Sequence, residues 1–171
     1  MTPATETSTI ESTPLLGRPV LSELPVEHLV DVRVDLEPAR VIPRPVGALM
    51  VFIAKGGTFE GPGLRGEVLP GGGDWLRIGE DRLGRVDVRA FFRTDDGALI
   101  DYRSRGVIKI PDDGLERLAA GERLPFEETY VRTTPKYETS DERYAWLNEL
   151  VIVGHNELSK DRIDYRQYRV L

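Results

Sequence analysis

The 171-residue sequence contains no cysteine and only two histidines, His28 and His155. The first absence excludes a disulfide scaffold and a thiolate zinc site, and the second argues against a His-rich metal centre. A carboxylate-only metal site is left open by composition but has no motif behind it. No apolar run approaches the ~20 residues of a membrane span. The N-terminal MTPATETSTIESTP has neither the basic start nor the apolar stretch of a signal peptide. Basic charge is in deficit, 23 Lys and Arg against 29 Asp and Glu for a net charge of −6. That balance disfavours a nucleic acid or an anionic membrane surface as partner. A soluble, cytoplasmic protein is expected.

Glycine is abundant, and Gly61 to Gly66 (GPGLRG) spells G-x-G-x-x-G. With Glu67 and Val68 it even follows the glycine-rich loop of a protein kinase. A chain of this length has no room for two kinase lobes, and H-R-D-x-x-x-x-N, D-F-G and Val-Ala-Ile-Lys are all missing. A dinucleotide fingerprint needs a helix opening behind the last glycine. Here Glu67-Val68-Leu69 runs into Pro70 and three glycines, Gly71 to Gly73, which cannot carry a helix past its first turn. With no phosphate cradle and no His/Cys ligand cluster, no bound nucleotide, other cofactor or transition metal is expected. Glycines of this kind suit a β-bulge or a barrel corner. On that reading Phe59 to Gly63 breaks one strand, Gly66 to Val68 resumes it, and Pro70 to Gly73 turns into a strand beginning at Trp75.

Residues 1–22 are rich in Thr, Ser, Glu and Pro and cannot repay the entropy of ordering by burial. They read as a flexible N-terminal extension whose removal leaves the melting temperature nearly unchanged, ahead of a single domain over residues 23–171. Within it, His28 to Glu37 alternates Val30, Val32, Val34 and Leu36 with charged residues, the pattern of a half-buried strand. Ala48 to Ala54 is a short apolar run expected as a strand buried on both faces. Arg85 to Arg93 and Ala98 to Ile110 flank the D-G turn of Thr94 to Gly97, a clear hairpin. Phe126 to Thr134, Leu150 to His155 and Ile163 to Val170 complete the strands. Two short helices are expected, Gly114 to Ala120, capped by Asp112 or Asp113, and Asp141 to Leu147 behind Ser140. Many short strands with scarcely any helix indicate a mainly β fold, and among sandwich and barrel we choose an antiparallel β-barrel with a central cavity.

Three blocks carry a resemblance. The run from Gly56 to Pro62 continues through Leu64 to Trp75; Asp87-Val88-Arg89 is followed by Arg93 to Ala98; Arg132 to Pro135 and Tyr137 to Thr139 lead to Tyr144-Ala145-Trp146-Leu147-Asn148. Together they resemble the DUF3237 (UPF0311) family over about Leu29 to Val170. The resemblance implies a calycin-like β-barrel with a central cavity. It also implies small-molecule metabolism, including cofactor-free additions or cyclisations at unsaturated carbonyl compounds. It carries over no catalytic residues, so site candidates come from chemistry.

The glycine-kinked strand would place Glu60, Glu67 and Asp74 near one barrel end. Burial beside Phe59 or Trp75 could raise the pKa of one of them toward that of a general acid or base at neutral pH. The alternatives are strand-edge solvation or an ion pair with Arg65 for the glutamates, and an Asx-type turn for Asp74. A second cluster is Asp87 and Arg89, which share a strand face, with Tyr102 across the hairpin. Arginine and tyrosine could polarise a carbonyl and hold an enolate while a carboxylate moves a proton; a structural Asp–Arg pair is the alternative. Phe91 interrupts the charged row Asp87, Arg89, Arg93, which reads either as a polar lumen or as a solvated face. Tyr144 and Trp146 would plug a barrel mouth or anchor their helix to the core. Glu60, Glu67, Asp87, Arg89 and Tyr102 are thus the catalytic candidates, and Phe59, Arg65, Asp74, Trp75, Phe91, Tyr144 and Trp146 the substrate-binding ones. Both histidines read as structural. Two functions follow: a cofactor-independent hydratase or isomerase of a small α,β-unsaturated carbonyl compound, or a binding protein for a small hydrophobic or aromatic metabolite. Strand edges outside a closed barrel would favour a homo-oligomer.

Overall fold

The alternating valines of the first strand set the wall of a barrel. In β1 (Val26–Leu36) Val30, Val32, Val34 and Leu36 are buried while Arg33 and Asp35 are exposed. The computed structural model describes residues 23–171; the expected flexibility of residues 1–22 lies outside the described residues. The chain continues through β2 (Arg40–Pro43), β3 (Ala48–Gly61), β4 (Leu64–Ile78), β5 (Gly84–Thr94), β6 (Leu99–Lys109) and the helix α1 (Gly114–Ala119). A 3-10 turn (Phe126–Glu128), β7 (Tyr130–Glu138), a second 3-10 turn (Ala145–Glu149), β8 (Ile152–Leu158) and β9 (Arg162–Val170) follow. Neighbouring strands pair antiparallel in the order β1-β9-β8-β7-β6-β5-β4-β3-β2, and β1 also pairs with β3, from Asp31 opposite Glu60 to Leu36 opposite Ala54. That pairing closes β1 and β3 to β9 into an eight-stranded barrel, with β2 lying outside the ring along the first part of β3. Closure removes sheet edges from the ring and hides its apolar face inside.

Four local expectations are corrected. Pro70 to Gly73 do not turn, because β4 runs through them as one strand. The excess backbone is absorbed as a bulge: Leu69 pairs with Phe91 and Gly73 with Arg89, so four steps on β4 oppose two on β5. Two extra residues leave the side-chain phase unchanged, and Leu64, Val68, Asp74 and Leu76 all point inward. The strand expected from Phe126 begins only at Tyr130, after a 3-10 turn that follows Pro125. The segment Asp141 to Leu147 is not an α-helix, and Ser140 does not cap it. Instead Thr139 Oγ1 accepts from the Asp141 N–H at 3.2 Å, and the Asn148 amide bonds both backbone groups of Thr139 at 2.9 Å. Side chain to backbone bonding of this kind competes with a regular helix. Helix α1 forms as expected, although Asp113 makes no side-chain cap hydrogen bond. Ala48 to Ala54 is only partly buried, with Val51 and Ala54 its buried residues, because β2 pairs along its edge and covers neither face.

The G-x-G-x-x-G run proves to be a hairpin. Pro62 and Gly63 form the turn between β3 and β4, with Gly63 at φ 73°, the proline-then-positive-φ order of a type II turn. At Gly66 a Cβ would collide with the Arg93 carbonyl oxygen and stand 2.7 Å from both the Phe59 ring and Thr94 Cα. The close approach of β5 is what requires glycine there. Near this end the core is aromatic: Phe92 stacks between Phe59 and Tyr102, at 4.9 and 4.8 Å between ring centroids, and meets Tyr137 edge-on at 5.7 Å.

Candidate functional site

Beyond the aromatic stack the barrel is hollow. A cavity of about 690 Å3 is walled by apolar side chains such as Val32 and Val34 of β1, Met50 and Phe52 of β3, Leu76 of β4 and Val88 of β5. The volume and lining are those of a small-molecule pocket. Its mouth is framed by the β4–β5 loop (Asp81, Arg82), the β6–α1 loop (Lys109 to Asp112), Leu115 and Leu118 of α1, and Ser159 and Lys160 between β8 and β9. Arg82 Nη1 donates to Asp112 Oδ1 at 2.8 Å across this rim.

Three polar side chains interrupt the apolar interior: Asp74 from β4, Tyr102 from β6 and Tyr165 from β9. Burial is the largest influence on Asp74 and raises its pKa to about 6. A hydrogen bond from the Asp87 backbone N–H to Asp74 Oδ1, at 3.0 Å, opposes that rise, and the charge of Asp87 adds to it. Burial also raises the Tyr102 phenol to about 12, with a smaller contribution from the Asp74 charge, and pushes Tyr165 well above the usual tyrosine range. Asp74 is therefore a carboxyl that changes charge near neutrality on an apolar wall, beside a phenol that stays protonated. Such a pair can move a proton and donate a hydrogen bond.

The structure brings together only part of the expected site. Asp74 and Tyr102 meet at the cavity, but Glu60, Glu67 and Asp74 do not converge. Glu60 pairs with Arg65 on the exposed β3–β4 hairpin, and Glu67 accepts from Arg93 Nε at 2.8 Å on the outer surface. Asp87, Arg89 and Phe91 occupy the outward phase of β5, whose inward phase is Val86, Val88, Ala90 and Phe92. The lumen is apolar because unpaired charge is costly to bury, so the charged row faces water; Phe91 is 52% exposed. Trp75 is likewise outward and 38% exposed. Phe59 is fully buried in the aromatic stack rather than at the cavity. Tyr144 and Trp146 pack on the core at the end remote from the mouth, with Tyr144 O–H donating to Asp96 Oδ1 at 3.0 Å. They anchor their turn and do not line the cavity. Tyr165 went unrecognised in the sequence, although its inward phase with Ile163 and Gln167 was available.

Among the described residues, no group of three or more His, Cys, Asp or Glu side chains is arranged to hold a metal ion. None of their helices is long and apolar enough to cross a membrane.

A UPF0311 protein of Rhodopseudomonas palustris is 34% identical over 125 residues, covering 73% of this chain and 82% of that one. The crystal structure of a conserved protein of unknown function from the same organism matches with a TM-score of 0.82 at 27% identity, covering 88% of this chain and all of that one. A β-barrel-like protein of Acinetobacter baumannii matches with a TM-score of 0.73 at 30% identity over 90% of this chain and all of that one. The PR-toxin biosynthesis cluster protein 7 of Penicillium roqueforti is 30% identical over 100 residues, 56% of this chain and 54% of that protein. The family model described as "Protein of unknown function (DUF3237)" matches residues 24–170, and the chain belongs to that family.

Proposed function

We propose that the chain is a cofactor-independent enzyme that adds water to, or isomerises, a small α,β-unsaturated carbonyl compound held in the barrel cavity. The observation that carries this reading is Asp74, a carboxyl with a pKa raised to about 6 on an otherwise apolar cavity wall. In hydration, the Asp74 carboxylate takes a proton from water as the oxygen bonds to the β-carbon and the C=C π pair moves toward the carbonyl. Tyr102 O–H donates to the oxyanion of the resulting enolate. Protonated Asp74 then returns the proton to the α-carbon, so water is added across the double bond and Asp74 is regenerated. The role first considered for Glu60, Glu67 or Asp87 passes to Asp74, and Arg89 has no part in it. The similarity to a toxin biosynthesis cluster protein supports a small organic substrate.

The test is consumption of a panel of cyclic enones by the wild type, Asp74→Asn and Tyr102→Phe. Loss of general acid/base catalysis at Asp74 should cost about 10²-fold or more. The dominance of apolar walls favours one second reading, a binding protein for a hydrophobic metabolite. Binding of the enones without turnover by the wild type would decide for it.

A further inference from the structure

Behind Tyr102 lies a buried chain of hydrogen bonds that the reaction above does not use. Gln167 of β9 is fully buried, and its Nε2 donates to the Tyr102 oxygen at 2.9 Å. Its Oε1 accepts from the Tyr137 O–H at 2.6 Å. The direction of this chain follows from what each hydroxyl can reach. Tyr137 is fully buried, is not at the cavity, and makes no other hydrogen bond among the described residues. Turning the amide over would leave its O–H without an acceptor, which is costly in a dry interior. Oε1 therefore faces Tyr137 and the amide N–H faces Tyr102. With an acceptor site on its oxygen occupied by Gln167, the Tyr102 hydroxyl has its own proton to place, and Tyr102 lines the cavity. Ser104 Oγ lies near enough to favour the Tyr102 phenolate, and by more than Gln167 does, but it forms no hydrogen bond of ordinary geometry among the described residues.

We propose that Gln167, locked by Tyr137, is a positioning residue that makes Tyr102 a dedicated hydrogen-bond donor into the cavity, so that the buried end of the ligand is a carbonyl-type acceptor oxygen. This deepens the reading of the cavity as a carbonyl site and rests on it. The chemical class assigned is an apolar ketone or enone whose oxygen meets Tyr102 while its hydrocarbon body fills the aliphatic part of the barrel.

The test uses a probe that cannot be hydrated by conjugate addition: 2-decalone, a saturated bicyclic ketone, labelled with 13C at the carbonyl. Its binding is followed by calorimetry and its carbonyl stretch by difference infrared spectroscopy. The wild type should bind it with a lowered stretching frequency. Tyr102→Phe should abolish the lowering. Gln167→Glu supplies acceptors that draw the Tyr102 proton away from the cavity, so it should diminish the lowering and weaken binding about three- to tenfold. If the glutamate variant does not fold, Gln167→Met removes the amide that orients Tyr102 without adding a charge and should likewise diminish the lowering, and Tyr137→Phe, which frees the amide to turn, serves if neither does. A ketone that does not bind, a stretch that does not fall in the wild type, or folded Gln167 variants that keep the full shift would overturn the proposal. A shifted ketone together with enones that are bound and never turned over would overturn the hydratase reading and leave this assignment standing.

Discussion

The backbone N–H of Asp87 donates to Asp74 Oδ1 at 3.0 Å, so an outward-facing strand residue supports the inward-facing carboxyl through its main chain alone. The contact arises because Asp74 sits opposite Val88, one residue along β5. It offsets part of the burial cost of Asp74 but does not cancel it, and the pKa stays near 6.

Stability should therefore depend on pH in an unusual sense for an aspartate. Unfolded, Asp74 ionises near 3.8; folded, near 6. Between those values the folded protein holds the extra proton, so stability falls as pH rises from about 4 to about 6 and then levels. The rise from 3.8 to about 6 corresponds to at most about 3 kcal/mol. Asp74→Asn should flatten this part of the profile and raise the melting temperature at pH 8; urea unfolding across pH 4 to 8 measures both.

The same carboxyl should set the pH dependence of turnover. As the base that activates water, Asp74 must be ionised, so kcat/KM for an enone should rise through an apparent pKa near 6 and then plateau. Glu60→Gln and Glu67→Gln remove only exposed partners of Arg65 and Arg93 and should leave the profile in place. A profile that moved with either glutamate would return the catalytic role to the β3–β4 hairpin.

Two glycines of the G-x-G-x-x-G run should respond differently to alanine. Gly66→Ala drives a methyl into the β5 backbone and should destabilise by about 3 kcal/mol, the upper end of usual overpacking costs. Gly63→Ala meets open space and bears only its positive φ, about 1 kcal/mol. Denaturant midpoints with unchanged m-values would compare the two directly.

At the mouth, Leu115 is 57% exposed although it borders the cavity. Leu115→Gln should lower affinity for apolar ketones while shifting stability by no more than about 0.5 kcal/mol. Calorimetric titration beside thermal melting separates the two effects. Equal affinities would show that ligands do not contact the helix.

Much of the architecture was legible because period-two alternation is local. Val30, Val32, Val34 and Leu36, or Val86, Val88, Ala90 and Phe92, announce an inward face in any order of strands, and the D-G turn announces the β5–β6 hairpin. The inward phase of Tyr102, between Ile100 and Ser104, was equally present in the sequence. Which face of a charged strand meets water was not decided by alternation itself, since a lumen and a solvated surface have the same period; desolvation of Asp87 and Arg89 decided it once the ring closed. Asp74 was named as a candidate but placed beside a turn because Pro70 to Gly73 have the composition of one, and only pairing with β3 and β5 holds them extended as a bulge of two residues. Had that count been odd, Asp74 would face water and its pKa would not rise. The meeting of Asp74, Tyr102, Tyr165 and Gln167 joins β4, β6 and β9, and nothing local encodes it. The sequence by itself determined the strands and their two faces, because those follow from neighbouring side chains; the tertiary structure alone decided which polar groups share the cavity, because that follows from register and closure between strands far apart in the chain.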